Sequence, residues 1–314
     1  MSRYTDWRVN TGGGNINYEE HIPVLAGKLA EHIHLPPDGV MVDATVGQGG
    51  HSYLFGKTLG PAGIIIGLDV DTDAIQAAKI KLKGLSCKVI LIHCNFSEVI
   101  EQVRNQGIEE VDFILADLGV SSSQLADERF GLSFQRNMPL DMRIDKRLKT
   151  TAADIIGKTD EKRLADLIYG YGQDRASRRI ARFIVRCRRE KPITTTAELT
   201  EIVCRALGQP ARKRKSKIHP ATRTFQALRI AVNSELENVE NLLISAPRLL
   251  KKCGYMAVIS FHSLEDRLVK NSFRENARDG VYRIITKKPI VASPEEVAEN
   301  PRARSAKLRI SQRL

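Results

Sequence analysis

Aromatic residues are scarce, at 5% of the chain with a single Trp, which speaks against a broad stacking platform for single-stranded nucleic acid. No apolar run approaches the ~20 residues that span a bilayer. The first residues, "MSRYTDWRVNTGGGNIN", lack the apolar core of a secretory signal. With Asp6 and only two arginines they also make a poor organellar transit peptide, and residues 1–17 are expected to form a flexible extension. Cysteines are few and scattered: Cys87, Cys94, Cys187, Cys204 and Cys253 form no CxxC pair. That argues against zinc and against a disulfide framework, so no metal and a reducing cytoplasm are expected. His32 and His34 have no acidic or Cys partner near them in sequence and read as surface histidines before a loop. An acidic surplus is missing as well. Lys and Arg number 49 against 37 Asp and Glu, giving a formal net charge of +12. A protein this basic is expected to meet a polyanion, usually nucleic acid, although charge alone does not separate RNA, DNA and an anionic membrane.

What is present is a globular composition, 42% hydrophobic and 27% charged over 314 residues, enough for one large domain or two smaller ones. Three apolar runs read as buried parallel strands, each followed by a helix. "VMVDAT" (40–45) leads into a glycine-rich turn. "GIIIGLDVD" (63–71) leads into a helix with Ile75, Ala78 and Leu82 at helical spacing, closed by Gly84. "CKVILIHCNF" (87–96) leads into "SEVIEQVRNQG", with Ser97 as N-cap and Gly107 as stop. "VDFILAD" (111–117) is the fourth strand. Strands alternating with helices imply a parallel sheet covered on both faces, and such sheets bind ligands at the carboxyl ends of their strands.

From about 145 to 210 the pattern turns all-helical, and it reads as an insertion spanning 141–214. Leu164, Leu167 and Ile168 share one face. So do Ile180, Phe183, Ile184 and Cys187, with Arg175, Arg178, Arg179, Arg182, Arg186 and Arg189 around the rest. Thr195-x-x-Glu198 is a capping box. A basic loop, "ARKRKSK" (211–217), follows. The α/β pattern returns with a long helix from about Ala221 to Leu250, broken at Pro247. A fifth strand ends in a polar cluster within "YMAVISFHSLEDR" (255–267). "VYRIITKKP" and "SAKLRISQRL" read as an antiparallel edge pair. The main domain thus spans 18–140 and 215–314.

The chemistry-bearing residues fall at strand ends. In "DATVGQGGH" (43–51), Gly47, Gly49 and Gly50 let the backbone turn sharply and approach a ligand. Ser52 stands where a dinucleotide fingerprint has its third glycine, which weakens a nicotinamide reading, and no phosphate-binding Lys follows. Asp69, some twenty residues on, can accept both hydroxyls of a ribose, or else serves as a helix N-terminal charge. Phe96 can flank a purine or fill the core. A nucleoside without a phosphate chain suits this set. S-adenosylmethionine fits, because its ammonium and sulfonium need acceptors such as Asp43 and Asp117.

The motifs "HIPVL" (21–25), "DATVGQGGHS", "DLGVSSSQL", "SFQRNMPLDMR", "HPATRTFQALRIAVNSEL", "ISFHSLEDRLVK" and "ENPRARSAKLRI" resemble, in order, those of the ribosomal RNA small-subunit methyltransferase H family. The resemblance implies a class I S-adenosylmethionine-dependent methyltransferase: an α/β, Rossmann-like, seven-stranded sheet with an inserted all-helical domain that recognises RNA. It implies methylation of N4 of a cytosine in the decoding region of 16S rRNA. The partner would be the small ribosomal subunit, with no membrane involved, and whether the chain pairs as a homodimer is left open. Family cofactor contacts carry over to Gly49, Gly50, His51, Asp69, Phe96, Asp117 and Gln124. The chain departs from the family at "RFGLSF" (129–134), where "ERGFSF" is usual, and at Gln173-Asp174, where two acids are usual.

An exocyclic amine whose lone pair is drawn into the ring needs an oxygen acceptor for one N–H and in-line placement, worth up to ~7–11 kcal/mol. Asp117 is expected to position the cofactor and the amine, with Ser121 or Ser122 holding the base. Asp141 is a second candidate acceptor, or else an ion-pair partner of Arg143. Arg143 is a candidate phosphate ligand. His262 would bond the base or a phosphate, or else sit buried against Glu265 or Asp266. Arg179, Arg182, Arg186, "RKRKSK" and "RARSAK" (302–307) form the electrostatic footprint. The alternatives are a nicotinamide oxidoreductase, a DNA amino-methyltransferase, whose Asn/Asp-Pro-Pro-aromatic signature is replaced here by "DLGV", and a non-catalytic ribosome-assembly factor.

Overall fold

The computed structural model describes residues 23–209 and 219–314. The expected N-terminal extension and basic loop 211–217 lie outside the described residues. The chain divides into a sheet unit, Met1–Gly119 with Asn238–Leu314, and a helical unit, Val120–Glu237.

In the sheet unit α1 (Ala26–His32) precedes β1 (Val40–Asp43). Three strand–helix units then follow: α2 (Gly50–Gly56) and β2 (Ile64–Asp69), α3 (Thr72–Lys81) and β3 (Lys88–His93), α4 (Val99–Arg104) and β4 (Val111–Asp117). The helical unit holds α5 (Ser122–Ala126), α6 (Ala152–Lys158), α7 (Glu161–Gly172), α8 (Ser177–Glu190), α9 (Thr196–Leu207) and α10 (Thr222–Asn233). Helix α11 (Glu235–Leu249) leads back to β5 (Leu250–Ser260), α12 (Ser263–Arg278), β6 (Tyr282–Ile284), α13 (Pro294–Glu299) and β7 (Lys307–Arg313).

The seven strands run in the order β3-β2-β1-β4-β5-β7-β6. Strands β1 to β5 are parallel, and β7 slots antiparallel between β5 and β6. The apolar runs form strands because each alternates between two cores. Val42, Ile114, Ala116, Met256 and Val258 face one cluster with Val103, Leu242 and Phe273. Met41, Phe113, Leu115, Ala257 and Ile259 face the other with Leu29, Phe55 and Leu308. Full burial of each larger side chain contributes roughly 1.5–3 kcal/mol, so this two-sided burial is what holds these runs at the centre of the sheet.

The helical unit has its own core. Leu164, Ile168, Ile180, Ile184, Leu199, Val203 and Leu228 pack in it with Phe130, Leu132, Leu140 and Met142. This moves the expected insertion boundary. The stretch 120–140 and helix α10 belong with the helices, because their apolar side chains are buried in that cluster rather than in the sheet's. The Thr195–Glu198 capping box forms as read, with Thr195 accepting from the Glu198 amide at 3.3 Å.

Three local expectations are corrected. The long helix breaks at Ser234, in the left-handed region at φ 48°, and not at Pro247. Asn233 fixes the break by accepting from Ile144 N (2.9 Å) and donating to Met142 O (2.8 Å), and an Arg229–Glu235 pair at 2.7 Å spans it. Pro247 is carried inside α11 because Leu242, Leu243, Ala246 and Leu249 are buried around it. Before α4 the cap is Asn95, whose side chain accepts from Ser97 N at 2.9 Å, so Ser97 sits inside a 3-10 turn. The fifth strand starts at Leu250, five residues before its expected start and across a register shift against β4.

Candidate functional site

The strand order reverses beside β1, where β2 lies on one side and β4 on the other. Ligands of open α/β sheets bind at such a switch point, outside the carboxyl ends. Asp43 ends β1, Asp69 ends β2 and Asp117 ends β4, so the fold delivers three acids to one edge. Phe96 follows β3 in the 3-10 turn Phe96–Glu98, half-buried against the core.

The glycine turn is built for close approach. Gly47 and Gly49 take φ of +50° and +80°, which side-chain-bearing residues rarely adopt. A Cβ on Gly50 would meet Pro23 Cγ at 2.6 Å. Gly47 N donates to Asp69 Oδ2 at 2.9 Å, tying the turn to the end of β2. Asp71 N donates to Asp69 Oδ1 at 2.9 Å. Burial pushes the Asp69 carboxyl up to about 6 against these two amides, and the nearby Asp71 and Asp43 carboxylates add to the rise. Each Asp69 oxygen keeps a second lone pair for an outside donor.

Asp43 is fully buried. It accepts from Ser52 Oγ at 2.7 Å and from Thr45 N at 3.3 Å. Burial raises its pKa, opposed by the Ser52 hydroxyl, by His51 and by the Thr45 amide, with the Asp117 carboxylate adding repulsion. Sequence reasoning saw Ser52 only as a missing glycine, whereas in the structure it holds the β1 carboxylate. Thr45 is a second residue that went unread. Its Oγ1 accepts from Asp117 N at 2.6 Å and anchors the end of β4 to the turn after β1.

His51 Nε2 lies 3.6 Å from Asp117 Oδ2. Among the described residues, both ring nitrogens of His51 and Asp117 Oδ1 are buried without a hydrogen-bond partner. Buried polar atoms left unpaired are costly, and three of them lie together at the switch point. A sulfonium, an ammonium and ribose hydroxyls are a fitting complement to Asp117, Asp43 and Asp69.

His262 caps α12. Its Nδ1 accepts from Glu265 N at 3.4 Å, and its Nε2 lies 3.1 Å from Glu265 Oε1. Glu265 is buried and accepts from the Phe261 and His262 amides at 2.8 and 3.2 Å. Nε2 makes no hydrogen bond among the described residues, so the ring is fixed through Nδ1 beside the Glu265 carboxylate, the structural alternative raised above.

The remaining candidates belong to the helical unit. Ser121 and Gln124 form a capping box at α5. Ser121 Oγ accepts from Gln124 N at 3.1 Å, and Gln124 Oε1 accepts from Ser121 N at 2.9 Å. Ser122 opens that helix. Asp141 is gripped by Arg143, Nε to Oδ1 at 2.8 Å and Nη2 to Oδ2 at 2.9 Å, with Lys146 at 3.5 Å. Burial would raise the Asp141 pKa, but the Arg143 bonds and the Lys146 charge outweigh it and hold the group below its ordinary value. Arg143 also donates to Leu148 O at 2.7 Å, so the geometry has the form of a structural pair. On α8, Ile180 and Ile184 are buried while Arg179, Arg182 and Arg186 are exposed along one face. Arg182 approaches Glu161 at 3.7 Å, an exposed pair worth little.

Five parallel strands flanked by helices, an antiparallel β7 between β5 and β6, and a glycine turn opposite an acid at the β2 end define a class I S-adenosylmethionine-dependent methyltransferase. The sequence matches the MraW methylase family over residues 18–314, and the chain belongs to that family. It is similar to the Ribosomal RNA small subunit methyltransferase H of Acidobacterium capsulatum, 47% identical over 94% of this chain and 99% of that protein. Proteins of the same name from Picosynechococcus sp. and Clostridioides difficile are 49% and 41% identical. They cover 93% and 94% of this chain, and 96% and 99% of their own lengths.

Proposed function

We propose that this chain methylates the exocyclic N4 amine of a cytosine in the decoding region of small-subunit ribosomal RNA. The observation that carries the reading is Asp117 Oδ1, a buried acceptor with no partner among the described residues, at the switch point of a methyltransferase sheet. The whole-length similarity to small-subunit rRNA methyltransferases supports the substrate class.

S-adenosylmethionine, when bound, supplies an electrophilic methyl group on a sulfonium. Asp69 would hold the ribose hydroxyls, the turn Gly47–Gly50 would give the ligand room, and Phe96 would flank the adenine. Asp117 would accept one N–H of the cytosine amine. That turns the nitrogen lone pair toward the methyl group and fixes the in-line approach, where placement supplies up to ~7–11 kcal/mol. The amine proton is acidic only after the nitrogen has become cationic, so Asp117 needs to accept it late rather than abstract it early. The exposed arginines Arg179, Arg182 and Arg186 of α8 would take RNA phosphates.

The test is methyl transfer from labelled S-adenosylmethionine to small ribosomal subunits lacking the modification, with free RNA alongside and product nucleosides identified by mass. N4-methylcytidine on the subunits is the expected product. Measurable cofactor binding with no label on subunit or RNA would overturn the reading in favour of an assembly factor.

A further inference from the structure

One charged group at the same end of the sheet unit, Arg302, enters the account above only as part of the basic run "RARSAK". Arg302 lies in a 3-10 turn, Pro301–Ser305, that leads into β7. The first residue of β7, Lys307, pairs in register with Ser260, the last residue of β5. Arg302 therefore sits beside the carboxyl ends of the parallel strands.

Its backbone is firmly held. Asn300 caps the turn, accepting from Arg302 N at 3.2 Å. Ala303 and Ala306 are fully buried in the cluster that contains Val24, Leu25, Leu115 and Leu308. The segment reaches the glycine turn through one intermediary, because Val24 and Leu25 of that cluster follow the Pro23 that packs on Gly50.

The side chain is not neutralised. Arg302 Nη1 is shut away from solvent with no hydrogen-bond partner, and no carboxylate pairs with the guanidinium among the described residues. Its neighbours behave differently: Lys307 and Arg309 both bind Asp266, at 3.3 and 2.6 Å. Burial is the sole influence on the Arg302 pKa and pushes it down. A guanidinium stays charged nonetheless, and half-burying an unpaired one is unfavourable until an anion arrives.

We infer that Arg302 is an oxyanion receptor, completed by a carboxylate or phosphodiester that a reactant brings to the strand ends. The planar fork of arginine binds such groups with two parallel hydrogen bonds, and the clamped turn orders it in advance. The inference rests on the methyltransferase reading. Two reactants of that reaction carry the chemistry: the methionine carboxylate of the methyl donor and the backbone of the RNA.

The experiment compares wild type, Arg302→Gln and Arg302→Lys by calorimetry and by salt-dependent RNA binding. The probes are S-adenosylmethionine, 5′-methylthioadenosine, which keeps the nucleoside and lacks the carboxylate, and small-subunit RNA. A loss of about tenfold for S-adenosylmethionine in Arg302→Gln, with methylthioadenosine unchanged and partial recovery in Arg302→Lys, assigns the donor carboxylate. A loss confined to RNA, with the salt slope reduced by about 0.7–0.9, assigns a phosphodiester. Unchanged affinity for both in a folded variant overturns the inference. If Arg302→Gln fails to fold, the Nε–H resonance of Arg302 in the wild-type protein replaces it: a shift on adding either probe supports the site, and no shift with both sinks it. Methyl transfer is the readout of neither arm, so failure of the substrate assignment would show separately.

Discussion

The acids of the two units live under opposite conditions. At the strand ends of the sheet unit, burial lifts the Asp43 and Asp69 carboxyls, and Asp117 keeps a buried oxygen without a partner among the described residues. In the helical unit the acids are held down. Asp154 is lowered by Lys158 and Thr151, and Glu198 by Lys191 and the Thr194 amide, while Asp141 is gripped by Arg143. The second group has spent its charge on caps and ion pairs near the surface. The first group has been placed where charge is costly and left incompletely satisfied, which is how a binding site for a cationic, hydroxyl-rich ligand looks before the ligand is considered. Within the helical unit the cations divide: several α8 arginines point outward, whereas the Arg143 and Arg147 forks close on their own acids.

The contrast can be broken by substitution. The largest effect is expected at Asp117. Asp117→Asn keeps the shape and removes the charge, and single-turnover methyl transfer should fall by about 10²–10³-fold, the usual cost of losing a preorganised electrostatic group. An activity within threefold of wild type would remove Asp117 from the reaction. On the helical side, replacing Arg179, Arg182 and Arg186 together by Gln should lower the log–log salt slope of RNA binding by about 2. The melting temperature should stay close to wild type, because exposed side chains contribute within about ±0.5 kcal/mol. An unchanged slope would show that α8 does not contact phosphate.

A smaller effect is pH-dependent. The Asp69 carboxyl, lifted to about 6, is protonated in the fold below that pH, while an unfolded chain keeps its ordinary carboxyl ionised to about 4. The fold therefore gains stability relative to the unfolded chain as pH falls through 6 toward 4. Affinity for S-adenosylmethionine should drop over the same interval, because a protonated oxygen accepts less well. Calorimetric titration should show that drop in wild type and a weak, pH-flat affinity in Asp69→Asn, about tenfold below wild type at pH 8 for the loss of one charged hydrogen bond. The smallest effect separates the two kinds of acid by ligand binding, since the loss of stability is the same for both. Ser52→Ala, which strips a buried carboxylate of its hydroxyl donor, should cost about 1–3 kcal/mol by denaturant titration, as should Asp141→Ala, which leaves Arg143 unpaired. Only Ser52→Ala should also weaken cofactor binding.

Much of this was legible in the sequence where a single stretch carried both the cause and the result. The run Phe113–Ala116 ending in Asp117 announces a buried strand with an acid at its tip, and the outward arginines of α8 follow from helical periodicity. What stayed hidden depends on contacts across the chain. Ser52 gains its meaning from Asp43 on the far side of the glycine turn. The helix break at Ser234 is set by Asn233 reaching back to Met142 and Ile144, 91 and 89 residues away in sequence. The boundary of the helical unit is hidden in the sequence because the stretch 120–140 has little periodicity, and its apolar residues declare their side only by packing. The same applies to Asp141 and His262, where two roles were open on paper and geometry records a local partner for each.

The placement of β7 between β5 and β6 has a consequence for how the molecule assembles. Strand β6, three residues long, is synthesised before the strand it hydrogen-bonds to, and β5 lacks its second neighbour until the same strand arrives. Neither edge can close by local zippering. One late segment satisfies both sides: β7 pairs with β5 across 47 to 57 residues and with β6 across 27 to 31. Because Lys307, at the head of that segment, pairs beside the final residue of β5, the turn bearing Arg302 takes its place only when that segment is paired. Completion of the sheet and completion of the strand-end surface are then a single event, and refolding followed by tryptic protection of β7 should rise in step with recovery of ligand affinity.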